Sequence, residues 1–198
     1  MASPFETLFR SPVPARDKLL SRLFGIFNEE IVRIWCRCAA APYRDLGRPT
    51  LRRQGSAWAT LDFLLASRRD NRVYVAEMKC ELEYEKYKYL TLTAPSQLEH
   101  HRKQAFDLFL QAAREPSSVA VKTPEGAVPV HGAILVWGDA TDTGRAATIA
   151  RYGFADVLTV AAIVRDLNRW QSPEWAKFVA DRRGWANELF DGLKAMGA

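Results

Sequence analysis

Residues 58–80 read WATLDFLLASRRDNRVYVAEMKC, and the rest of the chain is best interpreted around them. Two runs rich in apolar, β-branched and aromatic residues, 59–67 and 72–80, flank the polar tetrapeptide Arg-Arg-Asp-Asn at 68–71. Such runs on either side of a short polar segment are typical of antiparallel strands joined by a tight loop. The pattern therefore predicts a β-hairpin.

Three charged side chains converge on one face of this hairpin. With residues 68–71 as the loop, Asp62 lies directly opposite Glu77. Lys79 is two residues beyond Glu77 and points to the same face, because side chains alternate along a strand. One interpretation is an ion-pair cluster at the end of a strand. The other is a metal site, in which two carboxylates hold Mg²⁺ and the lysine orients water or stabilises charge on a phosphate.

Asp62, followed after the hairpin by Glu77-Met78-Lys79, resembles the signature of the PD-(D/E)xK nuclease superfamily, which has the restriction-endonuclease-like fold. The resemblance implies that Asp62 and Glu77, helped by the Met78 carbonyl, hold Mg²⁺ or Mn²⁺. It also implies that Lys79 positions or activates the water that attacks a phosphodiester. The proline that usually precedes the aspartate is Leu61 here.

Residues 15–41 have the apolar periodicity of an amphipathic helix. Glu30 falls inside the apolar arc of this helix, whereas Glu29 lies on its polar side. An ion pair with an arginine at the margin of the arc, such as Arg37, is one explanation for an acid at that position. The resemblance implies another, in which Glu30 reaches the metal site as a further catalytic residue.

Two more segments carry candidate substrate-binding residues. Arg52 and Arg53 precede the hairpin and either touch a phosphate backbone or lie on a solvated edge. A helix is predicted from Pro95 to about Glu115, and the resemblance implies that an inward Gln or His on it contacts phosphate. The candidates on this helix are Gln97, His101 and Gln104. A hydrogen-bonded core histidine is the alternative for His101.

Residues 81–92 alternate charged residues with tyrosines, which predicts a strand with one charged and one aromatic face. Tyr84, Tyr87 and Tyr89 either cover the core, stack on bases or pair with a second subunit. A homodimer formed through residues 81–92 is therefore one hypothesis.

Charge and composition narrow the class of protein. Residues 1–60 hold ten Arg and Lys against five acids, whereas residues 61–198 hold eighteen of each, so the excess positive charge is N-terminal. A basic face suits a polyanion such as nucleic acid, and a merely solvated surface is the alternative. No apolar run approaches the roughly 18 residues of a membrane span, and no secretory signal is evident. Three cysteines, Cys36 and Cys38 among them, predict packing residues in a reducing, cytoplasmic compartment.

The remaining pattern predicts a loop at 116–130, a buried strand at 131–137, a short helix at 145–152 and a second strand at 154–159. Two terminal helices are predicted at 160–170 and 174–196. The expected fold is an α/β protein with a restriction-endonuclease-like αβββαβ core, a mixed central sheet flanked by helices, and extra C-terminal helices. Residues 1–198 are expected to form one domain, with its core at about 15–160 and a helical extension after it.

These observations and the resemblance lead to one principal expectation and two alternatives. The expectation is a Mg²⁺-dependent nuclease, in particular an endonuclease, that hydrolyses phosphodiester bonds of nucleic acid, with DNA as the expected substrate. The first alternative is a non-catalytic nucleic-acid-binding or regulatory protein on the same scaffold. The second is an unrelated α/β protein whose tyrosine-rich strand serves dimerisation.

Overall fold

The computed structural model describes residues 4–9, 27–53, 55, 57–79 and 90–195. The first part of the helix predicted at 15–41 and the tyrosines predicted to alternate at 81–92 lie outside these ranges. No helix within them is both long and apolar enough to cross a membrane.

The helices are α1 (Pro4–Phe9), α2 (27–37), α3 (Gln104–Arg114), α4 (Asp142–Tyr152), α5 (Val160–Arg169) and α6 (Pro173–Ala195). The strands are β1 (Tyr43–Asp45), β2 (Thr50–Arg52), β3 (Ala59–Thr60), β4 (Phe63–Ser67), β5 (Val73–Met78), β6 (Thr91–Leu92), β7 (Ala120–Thr123), β8 (Gly126–Ala127), β9 (Ala133–Trp137), β10 (Asp139–Ala140) and β11 (Asp156–Thr159).

A mixed five-stranded sheet in the order β1-β4-β5-β9-β11 forms the centre of an α/β protein. β4 pairs antiparallel with β1 and with β5, whereas β9 pairs parallel with β5 and with β11. Every residue of β4 and of β9 is buried, as expected of central strands that read as continuous apolar runs. The predicted α/β class and mixed central sheet are confirmed.

The β4–β5 hairpin has the predicted register, with Phe63 opposite Ala76 and Ala66 opposite Val73. Asn71 adopts a φ of 57° in the predicted loop, a conformation that asparagine tolerates better than most residues. The prediction of one continuous first strand is wrong. The backbone bends at 61–62, and the two residues of β3 leave to pair with β2 in another sheet.

The second sheet, in the order β3-β2-β7-β8, has four short strands. β7 and β8 form a hairpin inside the segment that was predicted as a loop at 116–130. They were missed because β7 alternates over only four residues and a proline follows it directly. The central residue of β2, Leu51, is buried against the core.

Apolar side chains pack on both faces of the central sheet. On one face, Phe63, Met78 and Val136 pack with residues of α2 and α5. On the other, Leu64 and Leu135 pack with residues of α3 and of the second sheet. Since side chains alternate, Glu77 shares the face of Val75, which packs on the α3 side.

The helix predicted from Pro95 to Glu115 is interrupted. A short 3-10 turn, Pro95–Leu98, is followed by non-helical residues 99–103 before α3 begins. α3 ends at Arg114, two residues before Pro116, which cannot continue a helix hydrogen-bonding pattern.

The C-terminal elements follow the predicted order. α4 begins at Asp142, earlier than predicted, because the Thr141 side chain accepts a hydrogen bond of 3.0 Å from Gly144 N–H. β9, β11, α5 and α6 lie close to the predicted positions. The second half of α6 leaves its large apolar side chains outside the core. The exposed side chains there are Trp185, Leu189, Phe190 and Leu193.

Candidate functional site

Two acidic side chains lie next to each other at the end of the β4–β5 hairpin. Asp62 occupies the bend before β4, and its Oδ2 accepts a hydrogen bond of 2.9 Å from the backbone N–H of Met78. Glu77 lies near the end of β5 and is only 6% exposed. Continuing the register of Phe63 with Ala76 sets Asp62 opposite Glu77. The structure therefore brings the two predicted carboxylates together.

Each carboxylate has a cation beside it. Lys79 Nζ lies 2.6 Å from Glu77 Oε1, and an Arg48 guanidinium nitrogen lies 3.6 Å from Asp62 Oδ1. The backbone N–H of Lys79 donates a 2.9 Å hydrogen bond to Val136 O, which fixes this residue at the edge of the parallel strand pair. Lys79 joins the site as predicted. Arg48 joins it although the sequence did not single it out.

The second oxygen of the Glu77 carboxylate, Oε2, is buried without a hydrogen-bond partner in the part of the chain that the structure describes. Leaving a buried acceptor unsatisfied costs about 1–3 kcal/mol, and more when the group is charged. A buried carboxylate oxygen of this kind is a position for a water molecule or a cation.

Burial raises the pKa of Glu77 and the neighbouring Asp62 carboxylate raises it further, whereas Lys79 and a hydrogen bond from the Asp62 backbone oppose the change. Burial also raises the pKa of Asp62, against the lowering effect of its hydrogen bond from Met78, and the charge of Glu29 adds to the increase. A bound divalent cation would favour the ionised form of both groups and remove this electrostatic penalty.

The oxygen donors of the site suit a hard cation. Mg²⁺ is commonly bound through one or two carboxylates and keeps several waters. Within the described ranges, no three or more His, Cys, Asp or Glu side chains form a group that could hold a metal ion. The protein would therefore supply oxygens of Asp62 and Glu77, and water or substrate would complete the shell. The Met78 carbonyl directly follows Glu77 in the chain, and its role as a ligand stays a prediction.

Helix α2 turns Glu29, rather than the predicted Glu30, toward this charge cluster. Glu30 Oε1 lies 3.2 Å from an Arg37 nitrogen, which is the structural alternative that the sequence left open. Glu29 pairs with Arg33 at 3.1 Å, and its charge acts on Asp62. Since the two acids are one residue apart, they differ by about 100° around the helix axis. The acid of α2 whose charge acts on Asp62 therefore belongs to the polar side of the helix and not to its apolar arc.

His101 lies in the non-helical segment before α3. Its ring centroid is 4.8 Å from that of Phe106 and 4.0 Å from that of His100. Burial, followed by the charges of His100 and Lys79, lowers the pKa of His101 to about 4. The imidazole is therefore neutral at physiological pH. Because Lys79 Nζ is 5.9 Å from the centroid of Phe106, His101 and Lys79 share the neighbourhood of that ring.

Gln97 and Gln104 make structural contacts. Gln97 Oε1 accepts from the backbone N–H groups of Thr93 and Ala94 at 2.6 and 2.9 Å, and its Nε2 donates to Thr91 O at 3.0 Å. The amide of Gln97 thus shapes the turn before α3 instead of pointing from a helix as predicted. Gln104 Nε2 donates to Ala57 O at 2.9 Å and ties the start of α3 to the chain just before β3.

Arg52 and Arg53 are exposed at the end of β2. Both line an open surface pocket of about 430 Å³, and Arg53 also lines a smaller one beside Gln104. The guanidinium carbon of Arg52 lies 4.6 Å from the centroid of the Trp58 ring. The two arginines are therefore surface residues on the second sheet, separate from the carboxylate pair.

Cys36 is a buried packing residue, as its place on the predicted helix indicated. Burial raises the pKa of this thiol to about 12, so it stays protonated at physiological pH. Cys38 Sγ contacts Ser172 Oγ at 3.6 Å.

Comparison of the chain with protein-family models, with curated proteins and with solved structures finds no match. The function must therefore be argued from the site itself. Its chemical content is two apposed carboxylates, one with a buried and unsatisfied oxygen, an ammonium group in contact with that carboxylate, and a guanidinium group near the other. Such a set can hold a divalent cation and neutralise a phosphate.

Proposed function

We propose that this protein is a Mg²⁺-dependent nuclease that hydrolyses phosphodiester bonds of nucleic acid, with DNA as the expected substrate. The observation that carries the proposal is the buried, unsatisfied Oε2 of Glu77 beside Asp62 and Lys79. The ion pair with Lys79 accounts for the partner of Glu77 Oε1. A bound cation would supply the missing partner of Oε2.

The order of elements supports the same proposal. α2, β1, β4, β5, α3 and β9 follow one another as α-β-β-β-α-β, with the second sheet formed by insertions between them. This is the element order of the restriction-endonuclease-like core. The carboxylate pair lies on its central hairpin, where the resemblance to the PD-(D/E)xK signature puts it.

Each residue has a proposed role. Asp62 and Glu77 would hold Mg²⁺, which supplies Lewis-acid activation of the phosphate and of a water molecule. Lys79 would donate to the attacking water or to a phosphate oxygen, where negative charge grows as the in-line attack proceeds. Arg48 would release Asp62 to the cation and turn to the phosphate. The low pKa of His101 leaves it neutral, so it would serve as a hydrogen-bonding group and not as a charged one.

One observation favours a second candidate, a nucleic-acid-binding or regulatory protein without catalysis. Lys79 at 2.6 Å and Arg48 at 3.6 Å give each carboxylate a cationic neighbour without any metal. In that case the charges stabilise the end of the hairpin and the protein binds its partner elsewhere.

Calorimetric titration of Mg²⁺ and Mn²⁺ into the wild-type protein and Glu77→Gln separates the two candidates. Supercoiled, linear and branched DNA are then offered to both proteins with metal. Metal binding and cleavage that are both lost in Glu77→Gln support the nuclease. Equal heats for the two proteins, or an absence of metal binding to either, favour the non-catalytic candidate.

A further inference from the structure

The outer face of the second sheet carries an aromatic ring in contact with two cations. Leu51 of β2 and Val121 of β7 point into the core, so their neighbours in sequence point outward. Arg52 and Lys122 are on that outer face, and each is exposed. Trp58 lies against both, with its ring centroid 4.6 Å from the Arg52 guanidinium carbon and 4.9 Å from Lys122 Nζ.

The ring holds these cations without neutralising them. Cation–aromatic contacts within about 6 Å contribute about 0.5–1 kcal/mol at exposed sites, which is enough to bias a side-chain position. Neither Arg52 nor Lys122 forms an ion pair within 4 Å with any described residue. Trp58 itself is 37% exposed, so part of the ring remains open to solvent.

The surrounding sequence is positively charged. Residues 46–61 contain three arginines and no acid, and residues 116–123 contain one lysine and no acid. Next to Arg52, a surface pocket of about 430 Å³ at the end of β2 is also lined by Arg53 and Ser117. A concavity of that size is within the range that accepts a nucleotide-sized group.

This face is joined to the carboxylate site through the backbone. Leu61 N–H donates to Pro49 O at 3.0 Å, which links the start of β2 to the bend that carries Asp62. Arg48 precedes that link and neighbours Asp62. Arg52 is four residues beyond Arg48, so the two backbone positions lie within roughly 14 Å of each other, and a substrate that occupies the site would reach Arg52 over that distance.

We propose that Arg52 and Lys122, positioned by Trp58, bind the phosphate backbone of the nucleic-acid substrate outside the site of cleavage. The proposal rests on the proposed nuclease function and adds the surface that the substrate follows. Charge complementarity selects the partner, because cations without carboxylate partners beside an exposed ring suit a chain of phosphates and bases. Trp58 is a positioning residue in this scheme.

The test is fluorescence anisotropy with labelled single-stranded and duplex DNA, in chelator and on a Glu77→Gln background, over a series of salt concentrations. Arg52→Gln combined with Lys122→Gln is compared with Arg44→Gln combined with Arg69→Gln. The second pair makes the same change in charge at exposed positions on β1 and in the hairpin loop. Thermal unfolding of both double variants verifies that they are folded.

Removing two phosphate contacts is expected to weaken binding roughly tenfold and to reduce the slope of log affinity against log salt by about 1.4 for single strands and about 1.8 for duplex. The control pair should keep the parent slope. Trp58→Ala should weaken binding with both cations present, and Trp58→Phe should restore most of the affinity. Equal slopes for the two double variants would overturn the proposal, as would an absence of DNA binding by the parent.

Because these measurements need neither metal nor cleavage, their result is independent of the nuclease test. A reduced slope without metal-dependent cleavage by the wild-type protein would keep the surface and reject catalysis. An unchanged slope together with cleavage lost in Glu77→Gln would keep catalysis and reject the surface.

Discussion

At the scale of single residues, Glu77 combines deep burial with an incomplete set of hydrogen bonds. One oxygen contacts Lys79, and the other has no partner among the described residues. Asp62 is less deeply buried and is already bonded to the Met78 N–H. The two carboxylates are therefore unequal, and Glu77 gains most from a cation.

Replacing Asp62 by asparagine tests the pair directly. We expect Asp62→Asn to lower Mg²⁺ affinity at least about tenfold, since one anionic ligand is lost. The fold should be retained, with equal or slightly greater stability, because the repulsion with Glu77 is relieved. Calorimetry with Mg²⁺ and thermal unfolding measure the two effects. Unchanged metal affinity would count against Asp62 as a ligand.

The pH dependence of stability follows from the raised pKa of Glu77. A carboxyl that binds its proton more tightly in the folded chain makes the free energy of unfolding fall as pH rises. The loss begins near the ordinary pKa of 4.5 and is complete above the raised folded value. Urea unfolding between about pH 4 and pH 8 should therefore show a steeper decline for wild type than for Glu77→Gln. Mg²⁺ should restore wild-type stability at neutral pH, and parallel curves would contradict this account.

Lys79 is expected to contribute to turnover and not to metal binding. Lys79→Ala should leave metal binding in place and lower the rate of cleavage by about 10²–10⁴-fold, the usual contribution of a positioned acid–base group. Calorimetry and a cleavage time course measure the two quantities on the same preparation. A variant that cleaves as fast as wild type would remove Lys79 from the mechanism.

Sequence reasoning found Asp62, Glu77 and Lys79 because their positions follow from one local hairpin. Arg48 and Glu29 could not be found in this way. Arg48 reaches Asp62 only after the chain before β2 packs beside the bend, and no local pattern encodes that approach. Glu29 was assigned to the polar face of its helix, where sequence gives no sign that a second charge cluster lies nearby.

At the scale of elements, two glycines in helices have opposite environments. A Cβ on Gly144 of α4 would collide with the backbone of Leu92 and Thr93, whereas a Cβ on Gly184 of α6 meets open space. Gly144 thus allows the first turn of α4 to approach β6 closely. Gly184 only weakens its helix.

Alanine substitutions at these glycines should change stability in opposite directions. Gly144→Ala should destabilise by about 1–3 kcal/mol or more through forced displacement of backbone. Gly184→Ala should stabilise by about 0.5–1 kcal/mol, because alanine loses less entropy in a helix. Chemical unfolding of both variants gives the comparison. A stability of Gly144→Ala equal to or above that of the wild type would contradict the close approach of α4 to β6.

Helices and strands could be predicted from sequence where the apolar periodicity is long or the run of buried residues is continuous. The β4–β5 hairpin, β9 and the C-terminal helices have such patterns. The β7–β8 hairpin and the two-residue strand β3 do not, because pairing with β2 stabilises them and local propensity does not. The interruption at 99–103 could not be predicted, because no proline or glycine marks it, and Gln97 caps the 3-10 turn before it by accepting from the Thr93 and Ala94 N–H groups.

At the scale of the whole molecule, the second sheet would extend the surface proposed for the substrate. The central sheet carries the carboxylates, and β2 and β7 carry Arg52 and Lys122, which form no ion pair with any residue that the structure describes. The excess positive charge of residues 1–60 fits this arrangement, since Arg48, Arg52 and Arg53 belong to it. The N-terminal location of the excess charge could be predicted from sequence. The contribution of Lys122 could not, because the pairing of β7 with β2 is long-range.

The four charges of the site, those of Asp62, Glu77, Lys79 and Arg48, sum to zero. A divalent cation entering alone would leave the pocket with an excess of two positive charges, whereas a phosphodiester entering with it would cancel part of that excess. Cation and nucleic acid should therefore be cooperative ligands, and thermodynamic reciprocity requires each to raise the affinity of the other by the same factor, about 5–150-fold in typical cases. Mg²⁺ titrations with and without an uncleavable oligonucleotide measure that factor, and identical affinities would exclude the coupling. The free protein would then bind Mg²⁺ measurably but more weakly than its complex with nucleic acid, and the charge balance of four side chains would set that difference.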